Sequence, residues 1–122
     1  DEWRAAIAVN VSPPTLAVPV AFDRAVPLLV REAIVNALKH GQPSQVSVDV
    51  AATDAMLRIV VVDNGPGFAF NGPRNHAELA ATKTGPRSLR ERVETLGGQI
   101  AVESSSAGAR VELSMPLEPV HA

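Results

Sequence analysis

The 122-residue chain contains no cysteine, which excludes disulfide bonds, thiolate metal sites and thiol nucleophiles. It also lacks any concentration of lysine and arginine, and its formal net charge is −2. Electrostatics therefore support binding neither to nucleic acid nor to an anionic membrane surface. The longest apolar runs are only as long as a strand and no charged-then-apolar leader precedes them, so we expect no membrane span and no signal peptide. We expect a cytoplasmic domain, or the cytoplasmic part of a membrane-anchored protein, without direct membrane contact by this domain.

The composition that remains is that of one folded domain. Hydrophobic residues make up 46% of the chain and charged residues 20%, which is far from the composition of disordered segments. Single domains commonly contain about 100–200 residues, so residues 1–122 are expected to form one domain with one core. The abrupt start on Asp1-Glu2-Trp3 leads us to expect a fragment of a longer protein.

The first half of the chain predicts a strand, a long helix and two further strands. A β-prone segment covers residues 3–11, and apolar residues recur at steps of three and four from Asp23 until Gly41. Alternation over residues 46–50 predicts an edge strand. The nearly continuous apolar run over residues 57–62 predicts a central strand buried on both faces.

The second half predicts a loop, a second helix and a hairpin. Phe68–Thr84 has no clean period, which suits a mobile loop with a short helical turn near His76–Ala80. A helix begins near Pro86 and ends at Gly97-Gly98, and residues 100–115 alternate as two strands joined by a turn. The predicted fold is an α+β two-layer sandwich: a mixed five-stranded sheet with about three helices packed on one face.

One stripe of the long helix carries polar side chains that could line a cleft. At about 100° per residue they fall within one narrow sector beside the apolar stripe. They are Glu32, Asn36, Lys39 and His40. An amide oxygen can coordinate Mg²⁺, a carboxylate can hold a metal-bound water, and an ammonium can neutralise a phosphate. The alternative is a solvated face, with Glu32 and Asn36 as a surface pair and His40 at the negative end of the helix dipole.

A single carboxylate followed by two glycines comes at the end of the apolar strand. The Asp63 carboxylate could accept a hydrogen bond from the exocyclic amine of a base, and Gly65 and Gly67 would let the backbone approach a flat ring. The alternative is an ordinary turn, because Asn-Gly and Pro-Gly are common turn dipeptides.

The second helix begins in a way that suits an anion. Unpaired backbone N–H groups after Gly85 and the positive end of the helix dipole attract negative charge, although Pro86 removes one donor. The alternative is a plain loop-to-helix junction, with Arg87–Glu91 and Arg90–Glu94 as surface pairs.

Taken together, these segments resemble the catalytic ATP-binding domain of bacterial two-component sensor histidine kinases. The superfamily, called GHKL, shares the Bergerat fold and includes gyrase, the ninety-kilodalton heat-shock chaperone and the mismatch-repair ATPase. Residues 31–40 resemble its asparagine box, residues 63–67 its first glycine box, and residues 85–92 its second, followed by Leu96-Gly97-Gly98. The Arg-Glu-Arg helix that ends in Leu-Gly-Gly resembles the nitrate-sensor and desaturase-regulator type of kinase.

The resemblance implies a site for Mg-ATP. Asn36 would bind Mg²⁺, Glu32 would assist catalysis through a metal-bound water or a proton network, and Asp63 would read the adenine amine. Gly65 and Gly67 would permit stacking of the base and motion of a lid. The remaining nucleotide contacts implied by the resemblance are Lys39, His40, Lys83, Thr84, Gly85, Ser88 and Leu89.

The resemblance also implies what happens to the γ-phosphoryl group. Its acceptor would be a histidine on a separate dimerisation domain of the same protein, with a response regulator downstream, and nothing before Trp3 resembles that domain. The chain alone should bind ATP without carrying its own acceptor. The segment Phe68–Thr84 would be a mobile ATP lid that orders over the nucleotide. Two alternatives are an anti-sigma-factor-type serine kinase on the same fold and a degenerate binding module without catalysis.

Two positions depart from the family pattern. Lys83 stands where the second glycine box often has its first glycine, which would stiffen the phosphate loop or add a charge of its own. Ala109 follows Gly108 where a threonine is usual, so one polar or water-mediated contact near the adenine is expected to be missing.

Overall fold

A computed structural model describes residues 6–12, 25–41, 45–53, 56–65, 70–83 and 86–116. Within these ranges the chain forms a sheet and three helices. The strands are β1 (Ala6–Ser12), β2 (Gln45–Thr53), β3 (Met56–Asp63), β4 (Gly72–Arg74), β5 (Gln99–Ser105) and β6 (Gly108–Pro116). The helices are α1 (Ala25–Gly41), α2 (His76–Thr82) and α3 (Arg87–Thr95).

The strands form one mixed sheet in the order β1-β2-β3-β6-β5-β4. Strand β1 is parallel to β2, and every other neighbouring pair is antiparallel. The parallel pair requires a crossover, and α1 lies in that crossover between β1 and β2. The mixed sheet with a helical layer confirms the predicted fold class.

The core lies between one face of the sheet and the helices. Helix α1 contacts β2, β3 and α3, helix α3 contacts β5 and β6, and helix α2 contacts β4 and β5. In β2, β3, β5 and β6, alternate residues face the helices and are buried. The largest fully buried side chains are Leu29, Leu57, Ile59, Leu79, Leu89, Ile100, Leu113, Met115, Val46, Val48, Val61 and Val93.

The sheet has six strands rather than the predicted five, because the segment predicted as a loop contains ordered elements. Strand β4 pairs with β5, and helix α2 extends the predicted helical turn at His76. Asn75 begins α2 with a capping box: its side chain accepts from the Glu78 N–H, and the Glu78 carboxylate accepts from the Asn75 N–H. A three-residue strand has too few residues to show a period, and for this reason the sequence pattern missed it.

Two predictions about the central strands were wrong. Strand β2 is not an edge strand, because it lies between β1 and β3. Strand β3 is central, but only one of its faces is buried: Leu57, Ile59 and Val61 face the core, whereas Val62 is 40% exposed on the other face. The β-branched side chains on the outer face gave the run its continuous apolar character.

The end of β3 and the starts of β2 and β6 lie side by side at one end of the sheet, which we call the Asp63 end. Strand β3 ends there with Asp63, which pairs with Val46 near the start of β2 and with Ala109 near the start of β6. The other end, where β3 begins and β5 begins at Gln99, we call the opposite end.

The chain direction also orients the two long helices. Only residues 42–44 separate the end of α1 from the start of β2, so α1 points its C-terminus toward the Asp63 end. Helix α3 leads into β5 at the opposite end, so its N-terminus points back toward the Asp63 end. The two helices therefore run antiparallel. No helix in the described ranges is long and apolar enough to cross a membrane.

Candidate functional site

Asp63 is the last residue of β3, and its side chain is half-buried. The backbone N–H of Gly65 donates to its Oδ1 atom at 2.9 Å. This bond folds the chain back immediately after the strand and fixes the orientation of the carboxylate. The Oδ2 atom has no hydrogen-bond partner within the described ranges, so the carboxylate keeps an acceptor for a ligand.

The electrostatics of Asp63 differ from those of a surface aspartate. Burial raises the pKa of the Asp63 carboxyl above its usual value, and the hydrogen bond from Gly65 opposes that shift without cancelling it. A carboxylate that is partly stripped of water is a stronger acceptor for a neutral N–H donor than a fully solvated one. The raised pKa is therefore consistent with a ligand-binding acid.

Gly108 allows the β5–β6 turn to approach the end of β3. Its φ is +152°, and a Cβ atom there would lie 2.2 Å from the backbone oxygen of Asp63. A side chain at residue 108 would therefore displace Asp63 itself. The sequence pattern placed this glycine in a turn but gave no sign of the contact, which joins residues 45 positions apart.

The register of the strands shows the surroundings of Ala109, the alanine that stands where the family usually has a threonine. Ala109 lies between Asp63 on β3 and Ser104 on β5, all in one row on the helix-facing side of the sheet. Because neighbouring strands are about 4.8 Å apart, Asp63 and Ser104 flank Ala109 across roughly 10 Å. Ser104 is the buried polar residue of the described core, and periodicity alone had read it as an ordinary strand position.

Asn64 ties Asp63 to the region where α1 ends. The Asn64 Oδ1 atom accepts from the Gln45 N–H at 3.0 Å, and the Asn64 N–H donates to the Gln45 oxygen at 3.3 Å. These bonds hold the start of β2 against the end of β3. They restrict how the end of α1 can sit relative to Asp63.

In the polar stripe of α1, the structure describes the side chains of Glu32 and Asn36. Asn36 is half-buried on α1, one helical turn closer to the Asp63 end than Glu32. The Glu32 carboxylate is paired with Arg92 of α3, at 2.5 Å from Nε to Oε1. Lys39 and His40 are helical, but their side chains lie outside the description.

The N-terminus of α3 presents backbone donors without a side-chain cap. Pro86 is the N-cap residue and contributes no capping hydrogen bond. The predicted contacts Ser88 and Leu89 occupy the first turn, where backbone N–H groups lack partners within the helix. The Leu89 side chain is buried and anchors this turn in the core, whereas Ser88 is exposed. An anion at this end of the helix would meet N–H groups and the positive end of the dipole.

Lys83 ends α2 in the left-handed conformation, with φ 54° and ψ 43°. Its backbone N–H donates to the oxygen of Leu79. Glycine favours this conformation, so the geometry explains why a glycine would be usual at this position. The Lys83 side chain is exposed, and the predicted residues Thr84, Gly85 and Gly67 lie outside the described residues.

The donor set at the Asp63 end fits a metal ion that arrives with its ligand. No group of three or more His, Cys, Asp or Glu side chains in the described ranges could hold a metal ion. Mg²⁺ commonly takes one or two protein oxygens and completes its shell with phosphate oxygens and water. The amide oxygen of Asn36 is a ligand of that kind, so the residues present fit Mg²⁺ bound together with a nucleotide.

The opposite end of the sheet has a different character. His76 Nδ1 accepts from the backbone N–H of Ile100 at 3.1 Å, and its Nε2 atom lies 2.7 Å from the Glu94 carboxylate. One imidazole thus joins the starts of α2 and β5 to the last turn of α3. The sequence offered no partner for His76, because Glu94 and Ile100 are 18 and 24 residues away.

Comparison with known proteins identifies related chains. Residues 23–119 match the family model described as "Histidine kinase-, DNA gyrase B-, and HSP90-like ATPase". The sensor histidine kinase LiaS of Bacillus subtilis is 32% identical over 92 residues, which cover 75% of this chain and 24% of LiaS. The nitrate/nitrite sensor protein NarX of Escherichia coli is 38% identical over 81 residues, which cover 66% of this chain and 12% of NarX.

A solved structure has a similar fold. The histidine kinase domain of a blue-light-activated histidine kinase from Erythrobacter litoralis superimposes with a TM-score of 0.65 at 30% identity. The match covers 93% of this chain and 56% of that chain. This chain therefore spans a quarter or less of the length of LiaS and NarX and about half of the matched solved chain.

Proposed function

Because this chain belongs to the histidine kinase-, DNA gyrase B- and HSP90-like ATPase family, we propose that it binds Mg-ATP at the Asp63 end of the sheet. We propose further that it is the catalytic domain of a sensor histidine kinase. In that role it donates the γ-phosphoryl group to a histidine on a separate dimerisation domain of the same protein. A response regulator acts downstream.

The observation that carries this proposal is the half-buried Asp63 carboxylate, which the Gly65 N–H orients. The C-terminus of α1 and the N-terminus of α3 both point toward this end of the sheet. An acid with a free oxygen suits the adenine amine. An uncapped helix N-terminus suits phosphate. An amide on the adjacent helix suits the metal that neutralises the phosphates.

Each group has one task in this proposal. Asp63 accepts a hydrogen bond from the adenine amine, while Gly65 and Gly67 leave room for the ring. Asn36 donates its amide oxygen to Mg²⁺, which neutralises charge on the phosphates when bound. The groups that contact the phosphates are Lys39, His40, Lys83, Thr84 and the backbone N–H groups of Gly85, Ser88 and Leu89. The role of Glu32 depends on its ion pair with Arg92.

The chemistry asked of these residues is mainly positioning. In phosphoryl transfer the bond from the β–γ bridging oxygen to the γ-phosphorus breaks as the acceptor nitrogen forms its own bond to phosphorus. Little covalent chemistry falls to the protein, which orients the nucleotide and stabilises negative charge. The lid predicted over Phe68–Thr84 would exclude water from the γ-phosphate, although its helix α2 already packs against β4 and β5.

A histidine acceptor is favoured over a serine acceptor by the relatives. LiaS and the blue-light-activated protein carry the name histidine kinase, and NarX is a nitrate/nitrite sensor protein. In this proposal the phosphoacceptor domain belongs to the same protein, and the response regulator acts downstream of it. The cytoplasm, where ATP is available, is the compartment that this function requires.

Calorimetric titration of Mg-ATP into the chain tests the proposal. We expect saturable binding at micromolar to millimolar nucleotide, and we expect Asp63→Ala to abolish it. Asp49→Ala is the matched control, because Asp49 is an exposed acid on β2 whose side chain pairs with Asn10. Absence of heat for the parent chain would favour a degenerate module, and unchanged binding by Asp63→Ala would refute the adenine assignment.

The Asn36→Ala variant distinguishes binding of the magnesium ion from binding of the adenine ring. This variant should retain part of its affinity for ADP in the absence of magnesium, because Asp63 can still accept a hydrogen bond from the adenine amine. It should lose the additional affinity that magnesium gives to ATP, together with phosphoryl transfer. Equal magnesium dependence in the variant and the parent would contradict the assignment of Asn36.

A further inference from the structure

Glu32 and Arg92 form an ion pair that joins α1 to α3. Arg92 Nε donates to Glu32 Oε1 across 60 residues of sequence. Within the described ranges it is the ion pair that links these two helices. The Glu32 side chain is 23% exposed and the Arg92 side chain 56% exposed, so the pair lies where the two helices meet the solvent.

The ion pair fixes the position of α3 along the axis of α1. Helices α1 and α3 run antiparallel, and four residues advance an α-helix by about 6 Å. One turn from Glu32 toward the Asp63 end is Asn36, and one turn from Arg92 toward the same end is Ser88. The pair therefore sets Asn36 opposite the first turn of α3.

We propose that Glu32 is a positioning residue that acts through Arg92, rather than a carboxylate that acts on water or metal. The inference rests on the function proposed above. Its consequence is that Asn36, the proposed magnesium ligand, is held beside the N-terminus of α3, the proposed phosphate site.

The chemistry of the pair suits that task. The guanidinium of arginine is planar and always charged, so its hydrogen bond to a carboxylate is directional and persists at every physiological pH. The Glu32 Oε1 atom already accepts a hydrogen bond from Arg92, which leaves this carboxylate poorly placed to act as a base. Partly exposed ion pairs contribute little to global stability, so the benefit should appear in the site rather than in the melting temperature.

Nucleotide affinity of paired variants tests the proposal. We expect Glu32→Ala and Arg92→Ala each to weaken Mg-ATP binding roughly tenfold, because the metal ligand and the phosphate site lose their register. The double variant should bind no more weakly than either single variant, since both remove the same link. Melting temperatures should change by no more than about 5 °C.

The conservative variant separates positioning from acid–base chemistry. Glutamine retains an Oε1 atom that can accept from Arg92 but has no basic carboxylate, so Glu32→Gln should recover most of the affinity that Glu32→Ala loses. In the full-length kinase, Glu32→Ala should raise KM for ATP roughly tenfold with little change in kcat, whereas loss of a general base would lower kcat about 10²–10⁴-fold.

Arg58→Ala is the matched control. Arg58 also donates through Nε to a glutamate, Glu112 at 3.0 Å, and its side chain is 57% exposed, but this pair lies on the outer face of the sheet. Its removal should leave Mg-ATP affinity unchanged.

Three outcomes would overturn the inference. In the first, Glu32→Gln is as defective as Glu32→Ala while Arg92→Ala binds like the parent, which would assign Glu32 a role of its own. In the second, the losses of the two single variants add in the double variant. In the third, the parent chain fails to bind Mg-ATP, which would overturn the proposed function as well.

Discussion

The two ends of the sheet differ in how their polar groups are satisfied. At the opposite end, His76 bonds both to Glu94 and to the N–H of Ile100, and α3 closes with a Schellman motif. In that motif the Gly98 N–H donates to Val93 and the Gly97 N–H to Glu94. At the Asp63 end, α3 starts without a side-chain cap and the Asp63 carboxylate keeps a free oxygen within the described ranges.

Under the proposed function, this difference separates a structural end from a ligand-binding end. Buried polar groups are normally paired, so an end where donors and an acceptor remain open is where an external partner can supply the missing bonds. Under the proposed function, the same helix, α3, serves stability through its C-terminus and binding through its N-terminus. Variants at the two ends should therefore separate stability from nucleotide affinity.

The largest effects are expected from two glycines that both permit close approach of the backbone. A Cβ atom on Gly98 would lie 2.4 Å from the Ser114 oxygen, and one on Gly108 would lie 2.2 Å from the Asp63 oxygen. Each Gly→Ala change should lower the free energy of unfolding by about 3 kcal/mol or more. Denaturant unfolding measures the loss.

The two glycine variants should differ in binding. Under conditions where both remain folded, Gly108→Ala should also lose nucleotide affinity because it displaces Asp63, whereas Gly98→Ala should keep it. Equal affinity losses in the two variants would contradict the division between the ends.

Asp63→Asn should abolish recognition of adenine while sparing stability. The amide oxygen of asparagine would remain bonded to the Gly65 N–H, which turns the NH₂ group toward the adenine amine and sets donor against donor. We expect at least about a hundredfold loss of ATP affinity, because a buried donor would be left unpaired. Calorimetry measures it, with Asp49→Asn as the control, and a loss of less than about threefold would contradict the assignment.

His76→Ala should have the converse effect. Removing the imidazole leaves the Ile100 N–H and the Glu94 carboxylate without this partner, so the free energy of unfolding should fall by about 1–3 kcal/mol. Because this contact lies at the opposite end, Mg-ATP affinity at a temperature where the variant is folded should stay within about threefold of the parent. A stable variant with impaired binding would reverse the roles that we assign to the two ends.

The pH dependence of stability should carry the signature of Asp63. Its folded pKa is raised above the unfolded value of 3.8, so the folded state binds the proton more tightly than the unfolded state. The contribution to stability is therefore most favourable below the unfolded pKa and declines as pH rises through the folded pKa. Asp63→Asn lacks this decline, so its stability relative to the parent should increase with pH. Solvent screening of this half-exposed group keeps the effect small.

Lys83→Gly should produce the smallest change. Left-handed backbone costs a non-glycine residue about 1 kcal/mol, so glycine at this position should raise the free energy of unfolding by up to that amount. Lys83→Asn is the control, because asparagine tolerates the same conformation and also lacks the charge. If the lysine charge assists phosphate binding, both variants should bind Mg-ATP more weakly by a similar factor, whereas loss in the glycine variant alone would indicate a purely conformational role.

The sequence predicted much of the fold because its signals were local. The long helix, the hairpin and the glycine stop after Leu96 each follow from periodicity or from turn chemistry within a few residues. Strand β4 and the central position of β2 depend on which strand pairs with which, and that information is not local. The exposed outer side of β3 was missed because β-branched residues suit a strand on either face.

The candidate site shows the same limit. The sequence predicted Asp63, Asn36 and the start of α3 as separate candidate segments, each with a purely structural alternative. Only their shared resemblance to one family assigned them to a single site. It could not predict that Arg92 pairs with Glu32 or that Gly108 contacts Asp63, because those contacts join residues 60 and 45 positions apart. Such contacts determine how the site residues are held rather than which residues they are.

Amide chemical-shift mapping with a magnesium complex of a non-hydrolysable ATP analogue tests the central claim most directly. We predict that the largest shift changes fall at the Asp63 end, at Asn36, Asp63, Gly65, Ser88 and Leu89. The amides of His76, Glu94 and Ile100 should remain close to their unliganded positions. A map centred on the opposite end, or on the outer face of the sheet, would contradict the account.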